Sequence, residues 1–126
     1  MKYLKALALL FISLFLATPC SASDGYATYY TVKSCQKEGN SGAYTASGEI
    51  YNESALTCAM PHRPFGKLYK VTSMTTGRSV TVRHNDLGPG KGPRTRGVVI
   101  DLTPAAFVAL GHDLADGKIS VKVVQK

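Results

Sequence analysis

Residues 98–111 read VVIDLTPAAFVALG. Three apolar residues lead to a carboxylate, Asp101, and then the pattern changes. Val98, Val99 and Ile100 form a short run without alternation, as in a strand buried on both faces. Thr103 is a good N-cap, Pro104 suits the first helical position, AAFVAL is the body and Gly111 is a natural stop. The stretch is thus a strand that turns into a short helix, with Asp101 at the rim of a sheet. An aspartate there either hydrogen-bonds backbone N–H groups near the helix start or, partly desolvated behind Val-Val-Ile, holds and releases a proton.

Outward from this junction, most of the chain reads as short strands. YATYYTV (26–32) is rich in aromatic and β-branched residues. LYKVTSM (68–74) and SVTVRH (79–84) each alternate, and TTGR between them is a hairpin turn with Gly77 available for positive φ. ISVKVVQ (119–125) alternates as well. The stretch from Cys35 to Tyr51 is polar and glycine-bearing and reads as a loop. Six or so short strands with one or two small helices predict a mainly β fold, a small β-barrel. No internal repeat or linker interrupts it.

The first 22 of the 126 residues read as an export signal. Lys2 and Lys5 make a positive start, ALALLFISLFLA is an apolar core too short to span a membrane, and small residues follow in TPCSAS. Cleavage after Ala22 or Ser23 fits, leaving residues 23–126 as one compact domain. A lipid anchor on Cys20 is disfavoured, because Pro19 and the early Leu16 make a poor lipobox. The expected location is periplasmic or secreted.

Loss of the signal leaves Cys35 and Cys58. Two cysteines in an exported chain usually pair, and a loop of this size would add ~3–4 kcal/mol in the chain-entropy model. The alternative is two buried thiols. Without CxxC spacing, and with three scattered histidines, a structural zinc site is not expected. Neither metal nor cofactor is expected. Without Lys2 and Lys5 the domain keeps 13 basic against 8 acidic residues, a net +5. A small basic exported domain suits an anionic surface such as cell-wall polymer, lipid headgroups or extracellular nucleic acid.

GYATYY (25–30), TASGEIYNESALTCAMPHRPFGKLYKVT (45–72), GRSVTVRHNDLGPG (77–90), RGVVIDLTPAAFVALG (96–111) and DGKISVKVV (116–124) follow one another in a particular order. Together they resemble the rare lipoprotein A (RlpA) family, whose core is a six-stranded double-psi β-barrel with one or two short helices. The opening and closing motifs also look like the barrel domain of bacterial expansin-like proteins. The resemblance implies lytic transglycosylase action on peptidoglycan. In that reaction the muramic acid's own C6 hydroxyl attacks, so one acid/base residue suffices where glycoside hydrolysis uses two.

By the same resemblance Asp101 is the acid, Asp86 of HNDLGPG faces the groove and supports it, and Glu49 of TASGE matters for activity. From the residues alone, Asp86 reads as a turn-stabilising Asx and Glu49 as a solvated loop acid. Two departures stand out. The family usually has an aspartate where Asn52 stands, with Glu53 beside it, and a histidine where Met60 stands. His62 would share a face with residue 60 if the strand ran that far. Tyr29, Tyr30, Tyr44 and Tyr51 are candidate sugar platforms. Alternation allows only one of Tyr29 and Tyr30 into a groove. Tyr30, Tyr51, His62, Arg83 and His84 are the expected substrate contacts.

The leading expectation is an exported, monomeric peptidoglycan lyase acting on glycan strands. A non-catalytic, expansin-like wall-binding module is the second, favoured by Asn52 and Met60. A secreted effector or inhibitor that uses the stable barrel to hold a protein partner, as plant barwin-like proteins hint, is the third. Nucleic-acid binding lacks a recognition motif, and no stable membrane insertion is expected.

Overall fold

The structure, a computed structural model, describes residues 22–37 and 44–126, without the side chains of 35–37. The expected signal and Cys20 lie outside the described residues, apart from Ala22. Six strands close into a barrel in the order β1 (Ala22–Tyr29), β5 (Val98–Leu102), β2 (Thr57–Met60), β4 (Ser79–Leu87), β3 (Leu68–Ser73), β6 (Lys118–Gln125). The pairs β1–β5 and β2–β4 are parallel and the other four antiparallel. Closure pairs every strand on both sides, which removes exposed edges.

Alternation builds the core. Val71, Val82, Val121 and Val123 turn inward from β3, β4 and β6. Val98, Ile100 and Leu102 do so from β5, while Val99 and Asp101 on its other face are only half-buried. The expectation that β5 is buried on both faces is thus corrected to one face. The barrel end is closed by α3 (Pro104–Ala109), whose Ala106 and Phe107 are buried. Thr103 caps it, accepting the Ala106 N–H at 3.3 Å. Thr103, in the sheet-to-helix turn, is thus the cap, as its sequence predicts. Phe107 packs edge-on against Tyr29 at 5.0 Å.

The β3–β4 turn has Gly77 at φ 76°, as its sequence predicts. Ser73 Oγ accepts the Thr75 and Thr76 N–H groups there. The polar stretch after Thr31 is not all loop: α1 runs Val32–Lys37. Glu53 Oε1 accepts the Val32 N–H and so holds the start of α1. A second short helix, α2 (Lys91–Thr95), leads into β5.

The expected Cys35–Cys58 bridge is not formed. Cys58 is a free thiol with no exposed surface. Its position on β2 turns it into the packed interior, away from any partner arriving over the surface. The side chain of Cys35 lies outside the described residues.

Candidate active site

The register around β2 sets the site. Ala59 pairs with Asp86 on β4 and with Asp101 on β5. The two carboxylates therefore flank one residue, from opposite neighbouring strands. Two inter-strand spacings put their Cα atoms roughly 10 Å apart. Both line a groove of about 780 Å³ together with Thr28, Tyr29, Tyr30, Tyr44, Gly88 and Arg94.

A bulge is what turns Asp86 outward. Along β4, Val80, Val82 and His84 are buried, and strict alternation would bury residue 86 next. Instead the register shifts between Cys58 and Ala59, His84 and Asn85 are both buried, and Asp86 faces the groove. Extra residues of this kind re-aim side chains beside active sites.

The two acids are held differently. The Thr28 hydroxyl donates to Asp101 Oδ1. Asp101 Oδ2 faces Gly88, where an added Cβ would lie 3.2 Å away. Gly88 has φ 153°, so the residue leaves room for the carboxylate and adopts a backbone that side chains disfavour. Asp86 Oδ1 accepts the N–H groups of Ala46 and Leu87, each at 2.9 Å, and Oδ2 accepts the Tyr30 hydroxyl at 3.0 Å.

Tyr29 and Tyr30 both line the groove, against the alternation argument. The reason is that β1 ends at Tyr29. Tyr51 is not among the groove's lining. It is buried, stacks on Tyr30 at 4.5 Å, and donates its hydroxyl to the Tyr30 carbonyl. It buttresses Tyr30 from behind, while Tyr44 is the exposed aromatic of the groove.

Glu49 is outside the groove lining. It is exposed and clasps Arg83 through both oxygens, at 2.5 and 2.7 Å. Arg83 holds the Glu49 carboxyl below the usual glutamate value and is itself raised by the pair. With the Ser47 N–H on the Asn85 carbonyl and the Ala46–Asp86 bond, this pair clamps the 44–50 loop onto β4. The expected substrate contact at Arg83 is thus replaced by a loop clamp.

His84 and His62 also leave the groove. His84 has no exposed surface, and its Nε2 donates to the Asp86 carbonyl at 2.9 Å. Burial pushes its imidazole below the usual histidine value, opposed by that hydrogen bond. β2 ends at Met60, so His62 lies beyond the strand and bonds the Tyr69 hydroxyl at 3.1 Å. Asn52 accepts the Ser54 N–H in a local turn, and Met60 is buried. Neither lines the groove, although Met60 follows Ala59 directly and its carbonyl accepts the Gly88 N–H at 3.3 Å.

Thr28, Gly88 and Arg94 went unnoticed in the sequence. Thr28 follows from parallel β1–β5 pairing, which no local pattern reveals. One further cluster resembles a hydrolase triad: Ser73 Oγ to His112 Nε2 at 2.7 Å and His112 Nδ1 to Asp116 at 3.1 Å. Ser73 is 1% exposed and its oxygen already accepts two turn amides, so the cluster ties the β3–β4 turn to the chain after α3.

A closed six-stranded barrel with two parallel pairs and a carboxylate groove across β2 is a double-psi β-barrel of the RlpA-like class. The family described as "Lytic transglycolase" matches residues 22–123, and the chain belongs to it. Among curated proteins it is 45% identical over 85 residues to "Probable endolytic peptidoglycan transglycosylase RlpA" of Synechocystis, covering 67% of this chain and 25% of that protein. It is 39% identical over 105 residues to "Endolytic peptidoglycan transglycosylase RlpA" of Pasteurella multocida, covering 82% of this chain and 32% of that one. The chain thus spans about a quarter to a third of these relatives. Among solved structures, a Streptomyces papain inhibitor matches with TM-score 0.62 and 25% identity over 85% of this chain and 96% of that one. A Clavibacter michiganensis expansin, solved as a mutant with cellohexaose, shares the fold with TM-score 0.59 and 20% identity over 83% of this chain and 50% of that one.

Proposed function

We propose that the domain is an exported peptidoglycan lytic transglycosylase with Asp101 as its acid. The observation that carries this reading is the placement of Asp101 and Asp86 on either side of Ala59 in one groove. Protonated Asp101 gives its proton to the glycosidic oxygen between N-acetylmuramic acid and N-acetylglucosamine. The resulting carboxylate then takes the proton of the muramic C6 hydroxyl as that oxygen bonds C1, which closes the 1,6-anhydro ring. Thr28 orients Asp101. Asp86, braced by three donors, is positioned to face the charge that develops on the sugar. Tyr30 and Tyr44 supply ring faces for sugars. Glu49 acts at one remove, by holding the Tyr44 loop.

The reading requires an exported domain, as residues 1–22 lead one to expect, and glycan strands as its partner. The names of the RlpA relatives support the substrate class. A second reading, an expansin-like module that binds wall without cutting it, is favoured by Met60 in place of the family's histidine. Incubation of sacculi with the purified protein separates the two. Soluble 1,6-anhydro products by mass spectrometry establish the lyase, whereas co-sedimentation without product establishes the binding module.

A further inference from the structure

Pro61 and Arg94 line both the acid groove and a second pocket of about 430 Å³. That volume is of the size that takes a small organic group. Met60, Val98, Val99 and Val123 give it apolar walls, and Ser23, His62, Tyr69 and Gln125 give it polar groups. No carboxylate lines it among the described residues. Arg94 is exposed and makes no ion pair among the described residues. Lys91 and Arg96, close by in the same segment, are exposed as well.

Apolar walls and a guanidinium without an ion pair among the described residues suit a short aliphatic acid, because the fork pairs a carboxylate in two-point fashion.

We propose that this pocket seats an aliphatic carboxylate carried by the glycan, paired to Arg94, while sugar rings occupy the acid groove. The proposal rests on the glycan reading above and names what that glycan must carry. Two groups have this chemistry: the lactyl carboxylate of bare N-acetylmuramic acid, and the first residues of a stem peptide.

The test is amide-shift titration of the ¹⁵N-labelled protein with four probes. These are chitotetraose, a bare muramic-acid-containing tetrasaccharide, the same sugar bearing alanyl-glutamate, and N-acetyl-alanyl-glutamate alone. Acid-bearing sugars are expected to shift Val99 and Val123 as well as Thr28 and Gly88, and chitotetraose only the latter pair. Arg94→Gln is expected to weaken the acid-bearing sugars at least tenfold more than it weakens chitotetraose, which meets Arg94 only at the groove. The stronger of the two acid-bearing sugars identifies the source. Val99 and Val123 unmoved by every acid, or a loss in Arg94→Gln no greater for the acid-bearing sugars than for chitotetraose, overturns the proposal. Silence of every sugar at Thr28 and Gly88, with an Arg94-dependent dipeptide response at Val99, sinks the glycan reading and leaves the pocket standing.

Discussion

Ala59 has one aspartate on each side, and different neighbours hold the two. Thr28 donates to Asp101, so Thr28→Val removes a donor while keeping shape. Anhydro-product release from sacculi should slow about tenfold, ~1.4 kcal/mol of barrier, with sacculus binding unchanged. A wild-type rate would separate Thr28 from the acid. Cys58 gives a second residue-scale prediction. Burial, then the Asp101 charge, push its thiol up to about 12. Iodoacetamide at pH 8 should leave Cys58 unmodified in the native protein and label it once denatured, as mapped by mass spectrometry. Labelling of the native protein at the denatured rate would contradict its burial. The place of Asp101 at the end of a strand was legible because a strand-to-helix junction is a local pattern. Thr28 was not, because its partner lies 73 residues away across a parallel pairing.

At the scale of elements, the bulge on β4 and the turn after it aim the groove. Gly88→Ala would press a methyl group to 3.2 Å from Asp101 Oδ2 and 3.4 Å from Ala59, at a φ of 153°. It should lose most activity and about 1–3 kcal/mol of stability, read by urea denaturation and product release. Full activity at wild-type stability would show that the acid does not need this gap. The hairpin at Gly77 and the capped helix after Thr103 were legible because turn and cap residues announce themselves locally. The end of β1 at Tyr29 and the bulge at Asn85 were not. Both break alternation through pairing with strands distant in sequence, and both decide which side chains reach the groove. His62 and His84 were misplaced for the same reason: β2 stops short of one, and β4 buries the other.

Over the whole molecule, the barrel's stability carries a pH signature. His84 has a lowered folded value, so the unfolded chain takes up its proton first as pH falls. Its contribution is complete above the ordinary histidine value, about 6.5, and is lost as pH falls toward the lower folded value. Glu49 is also lowered, and its small, exposed contribution is lost further into acid. The melting temperature should therefore fall from pH 7 to pH 5, and His84→Gln should flatten that slope. Equal slopes would contradict a neutral, buried His84. The barrel class was readable from motif order along the chain. The disulfide was not: cysteine count speaks to compartment, whereas β2 turns Cys58 into the core.

The central claim is that Asp101 is the acid and that Glu49 only holds the loop. The direct measurement is the rate of anhydro-product release from sacculi by the wild type, Asp101→Asn and Glu49→Gln, with sacculus binding measured alongside. The account predicts binding without product for Asp101→Asn and a reduced, measurable rate for Glu49→Gln. Product from Asp101→Asn at the wild-type rate, with Glu49→Gln inactive, would contradict it.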